Sequence, residues 1–326
     1  MAASLLMTAC RSPEKVIGYH PFLPRTGRMT CTRNAAPGAI DGSPLPNDFP
    51  ADFGAGDQQA RGHRGERRVR IDLAYDGTAY AGWQLQQNAP TVQGVVEAAL
   101  ARMHDGRLVR LRGAGRTDSG AHARGQVADA LVATRCGDAE LTRALSQLLP
   151  FDVRPQRVLT VPPAFHARHA AAEKTYRYVV DTTPGGDPWW RRYTLHWPHG
   201  LDEAAIDAAL ASLPGRHDWS GFTGAACTVD DRVRTISDAR RTLVRPGLTA
   251  FVFTADGFLT HMVRNLVGTL LEVGRGKMPP SRVREIVASR DRRLAGPTAP
   301  ARGLCLMRVV YDDAFGGPSG ETEPLW

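Results

Sequence analysis

Apolar and polar residues alternate from Val69 to Tyr75, with Val69, Ile71, Leu73 and Tyr75 on one face and Arg70, Asp72 and Ala74 on the other. A period of two predicts a half-buried strand. The turn Asp76-Gly77 and the aromatic stretch Tyr80-Ala81-Gly82-Trp83-Gln84 follow; packing on the sheet and contact with a binding partner are equal readings of that stretch. At Thr91, a suitable N-cap, the period changes. Val92, Val95, Val96, Ala99, Leu100 and Met103 recur at helical spacing and predict an amphipathic helix. Leu108–Leu111 and Gln126–Ala133 read as strands. A second helix runs from Asp138 to Leu149, with Leu141, Leu145 and Leu148 inward, until Pro150 stops it.

The plan then repeats. Lys174–Val180 alternates as a strand, which puts Tyr176, Tyr178 and Val180 on one face and Thr175, Arg177 and Val179 on the other. Residues 202–213 form a helix with Ile206, Leu210 and Leu213 on one side. Strands follow from Arg234 and over Thr249–Ala255. The strongest helical pattern spans Phe258–Val273, marked by Met262, Leu266, Leu270 and Val273. A last helix from Ser281 to Ser289 precedes a closing strand over Gly303–Tyr311. Alternating strands and helices with short turns predict an α+β chain.

Residues 1–66 differ. They are rich in Pro, Gly, Ala and Arg, lack sustained periodicity, and are expected to form a disordered N-terminal extension. A transit peptide or a later true start explains them equally well; secretion does not, because the apolar stretch before Cys10 is short and no basic residue precedes it.

Of the 326 residues, 42% are hydrophobic and 23% charged, which suits a soluble globular protein. The net charge of +8 points to a polyanionic partner or to an arginine-solvated surface. Cysteines at 10, 31, 136, 227 and 305 are scattered, odd in number and free of C-x-x-C pairs, which argues for reduced thiols in an intracellular setting. His166 and His169 lack the partners a zinc site needs. No apolar run approaches the roughly 20 residues of a membrane span.

Chemistry concentrates in Gly113-Ala114-Gly115-Arg116-Thr117-Asp118-Ser119-Gly120-Ala121-His122-Ala123. So many polar groups cannot sit unpartnered in a core. A dinucleotide fingerprint fails, because Asp118 stands where the third glycine belongs and would repel a pyrophosphate. Two readings remain: a solvated turn, or a catalytic loop in which Asp118 works and Arg116, two residues away, favours its ionised form.

Gly115–Ala123 with Gly125-Gln126-Val127 resembles the G-R-T-D-A-G-V-H-A…G-Q-V signature of the tRNA pseudouridine synthase A family, with Ser119 and Ala121 as conservative departures. Phe165-His166-Ala167-Arg168, Lys174-Thr175-Tyr176-Arg177-Tyr178 and His261-Met262-Val263-Arg264-Asn265-Leu266-Val267-Gly268 resemble further family motifs in the expected order, over residues 67–313. Thr260 replaces the first of two usual histidines, and Cys305 the usual Tyr of G-L-x-L.

The resemblance implies a pseudouridine synthase fold: two ferredoxin-like lobes with antiparallel sheets flanking a central active-site cleft. Residues 67–168 would be the N-terminal catalytic lobe, 169–313 the C-terminal lobe and 314–326 a loose tail. It implies isomerisation of uridine to pseudouridine at positions 38, 39 and 40 of the tRNA anticodon stem-loop. Asp118 would be nucleophile or base, Arg116 and Arg264 would hold its carboxylate, and Tyr176 would lie against the target uracil. A homodimer in the cytoplasm is implied, with no metal and no cofactor. A non-catalytic RNA-binding protein is the main alternative; a carbohydrate enzyme with paired carboxylates lacks a second acid near the loop.

Overall fold

The computed structural model describes residues 65–225 and 227–320. The expected extension over 1–66 lies outside them except for its last two residues. Sixteen helices and strands, in order, are β1 (Glu66–Tyr75), α1 (Val92–Arg102), β2 (Arg112–Gly113), β3 (His122–Ala133), α2 (Asp138–Leu148), β4 (Val153–Thr160), β5 (Glu173–Asp181), β6 (Leu195–His196), α3 (Glu203–Leu210), β7 (Gly215–Asp218), β8 (Val233–Arg245), β9 (Leu248–Ala255), α4 (Met262–Gly274), α5 (Arg282–Ser289), β10 (Leu304–Val310) and β11 (Ser319–Gly320).

Their main sheet has the order β4-β1-β3-β10-β5-β9-β8-β7. Pairing is antiparallel on each side of one junction, where β10 runs parallel to β3 with Cys305 opposite His122 and Leu306 opposite Ala123. Two separate antiparallel sheets were expected; a single mixed sheet joins the halves. That junction matters, because it carries one backbone ladder from the segment after Asp118, across β10, to β5, the strand that holds Tyr176.

Period-two patterning holds along the core face. Val69, Ile71, Leu73, Val127, Tyr176, Tyr178, Leu304 and Leu306 are buried together, with Leu100, Leu141, Leu145, Leu266 and Leu270 from the helices. Thr91 caps α1 as predicted, its side chain accepting from Gly94 N–H. Gly268 lets α4 lie against the backbone of the 296–299 segment: a Cβ there would stand 1.7 Å from the Pro297 carbonyl oxygen.

Three expectations are corrected. Leu108–Leu111 forms no strand, because side chains of α1 bind its backbone instead: Glu97 Oε1 accepts from Leu111 N–H at 2.9 Å and Gln93 Nε2 donates to Leu111 O at 3.2 Å. The helix expected from Phe258 starts at Met262, because His261 takes a left-handed conformation, φ 61°, that no α-helix accommodates.

The supposed loose tail is built into the fold as far as residue 320. β11 pairs with β10, and Ser319 is buried with its Oγ donating to Gly125 O at 2.7 Å. This segment covers the outer face of β1, so Arg70 is 0% exposed where simple alternation predicts solvent. The Arg70 guanidinium donates through Nε to Asp72 Oδ1 (2.7 Å) and through Nη1 to Phe315 O (2.8 Å) and Gly317 O (2.6 Å).

Candidate active site

The polar loop is held by what surrounds it. Ala114 N–H donates to Val127 O (2.7 Å), Gln126 Nε2 to Gly115 O (2.8 Å) and Lys174 Nζ to Ala114 O (2.8 Å). Thr117 Oγ1 shares a hydrogen bond with the Tyr75 hydroxyl at 2.8 Å, while Trp83 N–H donates to Thr117 O at 3.1 Å. Burial raises the Tyr75 hydroxyl well above the ordinary phenol range, so it remains a neutral partner.

The aromatic stretch after Asp76 therefore resolves in favour of packing. Trp83 is 2% exposed, and the Tyr80 hydroxyl donates to Asp152 Oδ1 at 2.7 Å. Two of its glycines are required by closeness. A Cβ at Gly77 would overlap the Ala121 carbonyl oxygen at 1.9 Å, and one at Gly82, where φ is 92°, would reach Thr117 O at 2.6 Å.

Asp118 meets side chains from the second half of the chain. Arg264 Nη1 donates to its Oδ2 at 2.7 Å, and His261 Nε2 lies 3.7 Å from the same oxygen. The carboxylate side chain is 25% exposed, Arg264 16% and His261 35%, so the group is fixed yet open to a ligand. Arg264 is itself anchored: its Nε donates to Ala299 O at 2.6 Å, and its own carbonyl accepts from Ala299 N–H at 3.1 Å. A guanidinium with two aimed donors fixes direction as well as charge.

Arg116 behaves otherwise. It is exposed, and among the described residues the side chains that meet the Asp118 carboxylate are the Arg264 guanidinium and the His261 imidazole. The expected help from Arg116 in holding this carboxylate is therefore corrected: closeness in sequence does not aim the side chain, and the α4 residues occupy that place.

Tyr176 is 7% exposed, on the core face as alternation required, edge-to-face with Phe258 at 5.0 Å. Its hydroxyl borders the loop: a Cβ at Gly115 would lie 3.8 Å from it. Burial, the nearby Tyr75 and the Asp118 charge raise this hydroxyl well above the phenol range. Lys174, two residues earlier on the same face, is pushed by burial down to about 8. Cys305 lies on the opposite face, where burial pushes its thiol up to about 11.

Three side chains at the site stood outside the sequence-derived set. His261 precedes Arg264 by three residues, just ahead of α4, and belongs to the quoted motif, but its aim is set by a left-handed backbone that the spacing does not reveal. Gln126 and Lys174 belong to motifs already quoted, but their targets are carbonyls of a distant loop. The Phe165-His166-Ala167-Arg168 motif is anchored by the buried Asp129 carboxylate, which accepts from Ala167 N–H at 2.8 Å and from Arg68 Nη1 at 2.7 Å, and is also bound by Arg112.

A sequence model of the tRNA pseudouridine synthase family matches residues 73–169 and 209–312. Proteins named tRNA pseudouridine synthase A from Geobacillus kaustophilus (strain HTA426) and Streptococcus mutans serotype c (strain ATCC 700610 / UA159) are 43% and 41% identical over 247 and 249 residues. Those alignments cover 76% of this chain and 95% and 99% of the two relatives. The family match takes in the Asp118 loop and the Arg264 helix, and the chain belongs to the tRNA pseudouridine synthase family, in its synthase A branch, and is an isomerase.

Proposed function

We propose that this enzyme converts uridine to pseudouridine at positions 38, 39 and 40 of the tRNA anticodon stem-loop, with Asp118 as nucleophile or base. The observation that carries this reading is the Arg264–Asp118 contact at 2.7 Å, which keeps a partly exposed carboxylate oriented between two halves of the chain. In the reaction the N1–C1′ bond breaks, the uracil turns, C5 bonds to C1′, and the proton lost from C5 is balanced by one gained at N1. No electrons leave the nucleoside.

A stacked uridine hides its glycosidic bond, so the target is flipped into the site at a cost of a few kcal/mol. Tyr176 supplies an aromatic surface for the base, where stacking offsets about 1–3 kcal/mol. Exposed Arg116 serves the flanking phosphates rather than the carboxylate. Residues 67–168 and 169–313 act as the two lobes of the cleft, the first carrying Asp118 and the second Tyr176 and Arg264.

The enzyme works as a homodimer in the cytoplasm. Free thiols at Cys136, Cys227 and Cys305 suit a reducing compartment. Self-association is supported by a cavity of about 850 Å³ on the sheet face away from the helices, lined in part by Phe151 and Trp189, which are 95% and 87% exposed. Sedimentation of Phe151→Glu and Trp189→Glu variants tests that face.

The activity is tested with unmodified tRNA transcripts and base-resolved mapping of pseudouridine, comparing wild type with Asp118→Asn. Product in the anticodon arm from wild type alone supports the reading. Turnover by Asp118→Asn removes Asp118 from its role, and tight binding without product from wild type favours a binding protein.

A further inference from the structure

His261 is one of three non-glycine residues with positive φ among the described residues, at φ 61° and ψ 5°. A side chain in this region costs backbone energy, so its persistence needs a compensating constraint. The usual compensation is absent. His261 is the N-cap of the 13-residue helix α4, yet its side chain makes no capping hydrogen bond, where Ser, Asp or Asn would serve better.

The ring is spent elsewhere. Its Nε2 stands 3.7 Å from Asp118 Oδ2, the oxygen that Arg264 holds. Gly224 makes room for the other edge: a Cβ at that position would lie 2.7 Å from His261 Nδ1 and 3.2 Å from its Cγ. Gly224 N–H also donates to Thr260 O at 2.8 Å, which ties the adjoining loop to the residue before His261. Backbone strain, a forgone cap, a glycine cleared for the ring and a carboxylate at its tip all point in one direction.

We propose that His261 is a positioning residue for Asp118, kept in a strained conformation so that its imidazole and the Arg264 guanidinium converge on Oδ2 and leave Oδ1 to meet the nucleoside. The left-handed turn keeps His261 out of α4, which begins at Met262, with its ring beside Asp118. This inference rests on Asp118 being the catalytic carboxylate.

The test is His261→Gly, since glycine adopts φ near +60° without penalty. Three quantities are measured at one pH: melting temperature, tRNA dissociation constant and single-turnover rate. The expected result is a melting temperature not below wild type, a dissociation constant within about twofold, and a rate lowered about tenfold or more, as displacement of a reacting group does. A purely structural histidine predicts an unchanged rate in this variant. A rate within about twofold of wild type overturns the inference, as does a dissociation constant weakened by the same factor as the rate.

Should the glycine variant fail to fold, His261→Asn carries the same comparison, because asparagine also accepts the left-handed region and its short amide does not reach Asp118. Turnover by Asp118→Asn defeats the reading of Asp118 itself. An inactive Asp118→Asn alongside a fully active His261→Gly defeats only the inference about His261.

Discussion

Arg264 Nη1 meets Asp118 Oδ2 at 2.7 Å although 146 residues separate them, and Arg264 Nε holds Ala299 O at 2.6 Å in the same fork. Lysine has a single nitrogen, which cannot stand at the Nε and Nη1 positions at once. Arg264→Lys is expected to lower the single-turnover rate about 10- to 100-fold, the equivalent of one hydrogen bond to a charged group at about 1.5–3 kcal/mol. Affinity for tRNA should change little. A rate near wild type would show that charge alone suffices at this place.

Tyr176 serves packing and substrate at once, so removing the ring confounds the two. Tyr176→Ala should cost about 3–5 kcal/mol of stability, as for other large core truncations. Tyr176→Phe keeps the edge contact with Phe258 and should remain within about 1 kcal/mol of wild type. If the ring is the stacking surface, the Phe variant turns over faster than Tyr176→Leu when both are folded. Equal rates in the two would remove stacking from the account.

Lys174 makes stability depend on pH in a defined direction. Burial lowers its ammonium from 10.5 to about 8, so between these values the folded chain binds fewer protons at this group than the unfolded chain. Its contribution therefore rises with pH through that window, and the cost of the buried charge is fully present below it. In Lys174→Met this dependence disappears. Urea unfolding at pH 7, 9 and 10.5 should show the stability difference between the variant and wild type moving in favour of wild type by about 2–3 kcal/mol. Parallel pH dependences would assign Lys174 an ordinary, solvated ammonium.

The terminal segment should matter more than its composition suggests. Ending the chain at Asp312 removes the Phe315 and Gly317 carbonyls from Arg70, and those of Gly316 and Pro318 from Arg157. Loss of hydrogen bonds to two guanidinium groups is expected to destabilise by about 2–4 kcal/mol. A change below about 0.5 kcal/mol in urea unfolding would make this segment a surface ornament of the sheet.

Local elements were legible where periodicity and stop signals agreed. Val69 to Tyr75, the Thr91 cap, the leucines of α2 and the stripe of α4 each carry their structure in neighbouring residues. Misreadings arose where a distant group intervened. Leu108–Leu111 has a strand-like composition, yet its backbone is claimed by Glu97 and Gln93. Gly316 to Gly320 reads as loose, yet it caps a buried arginine.

The sequence by itself determined the family and singled out the polar loop with its one carboxylate, because glycines, Asp118 and the flanking motifs are contiguous and specific. Tertiary structure alone decided which side chains meet that carboxylate. Arg116 is two residues away and points outward, whereas Arg264 and His261 arrive from the other half of the chain at 2.7 and 3.7 Å. The physical reason is that Coulombic and hydrogen-bond energies depend on distance and direction in space, and separation along the chain fixes neither once a sheet joins its two halves.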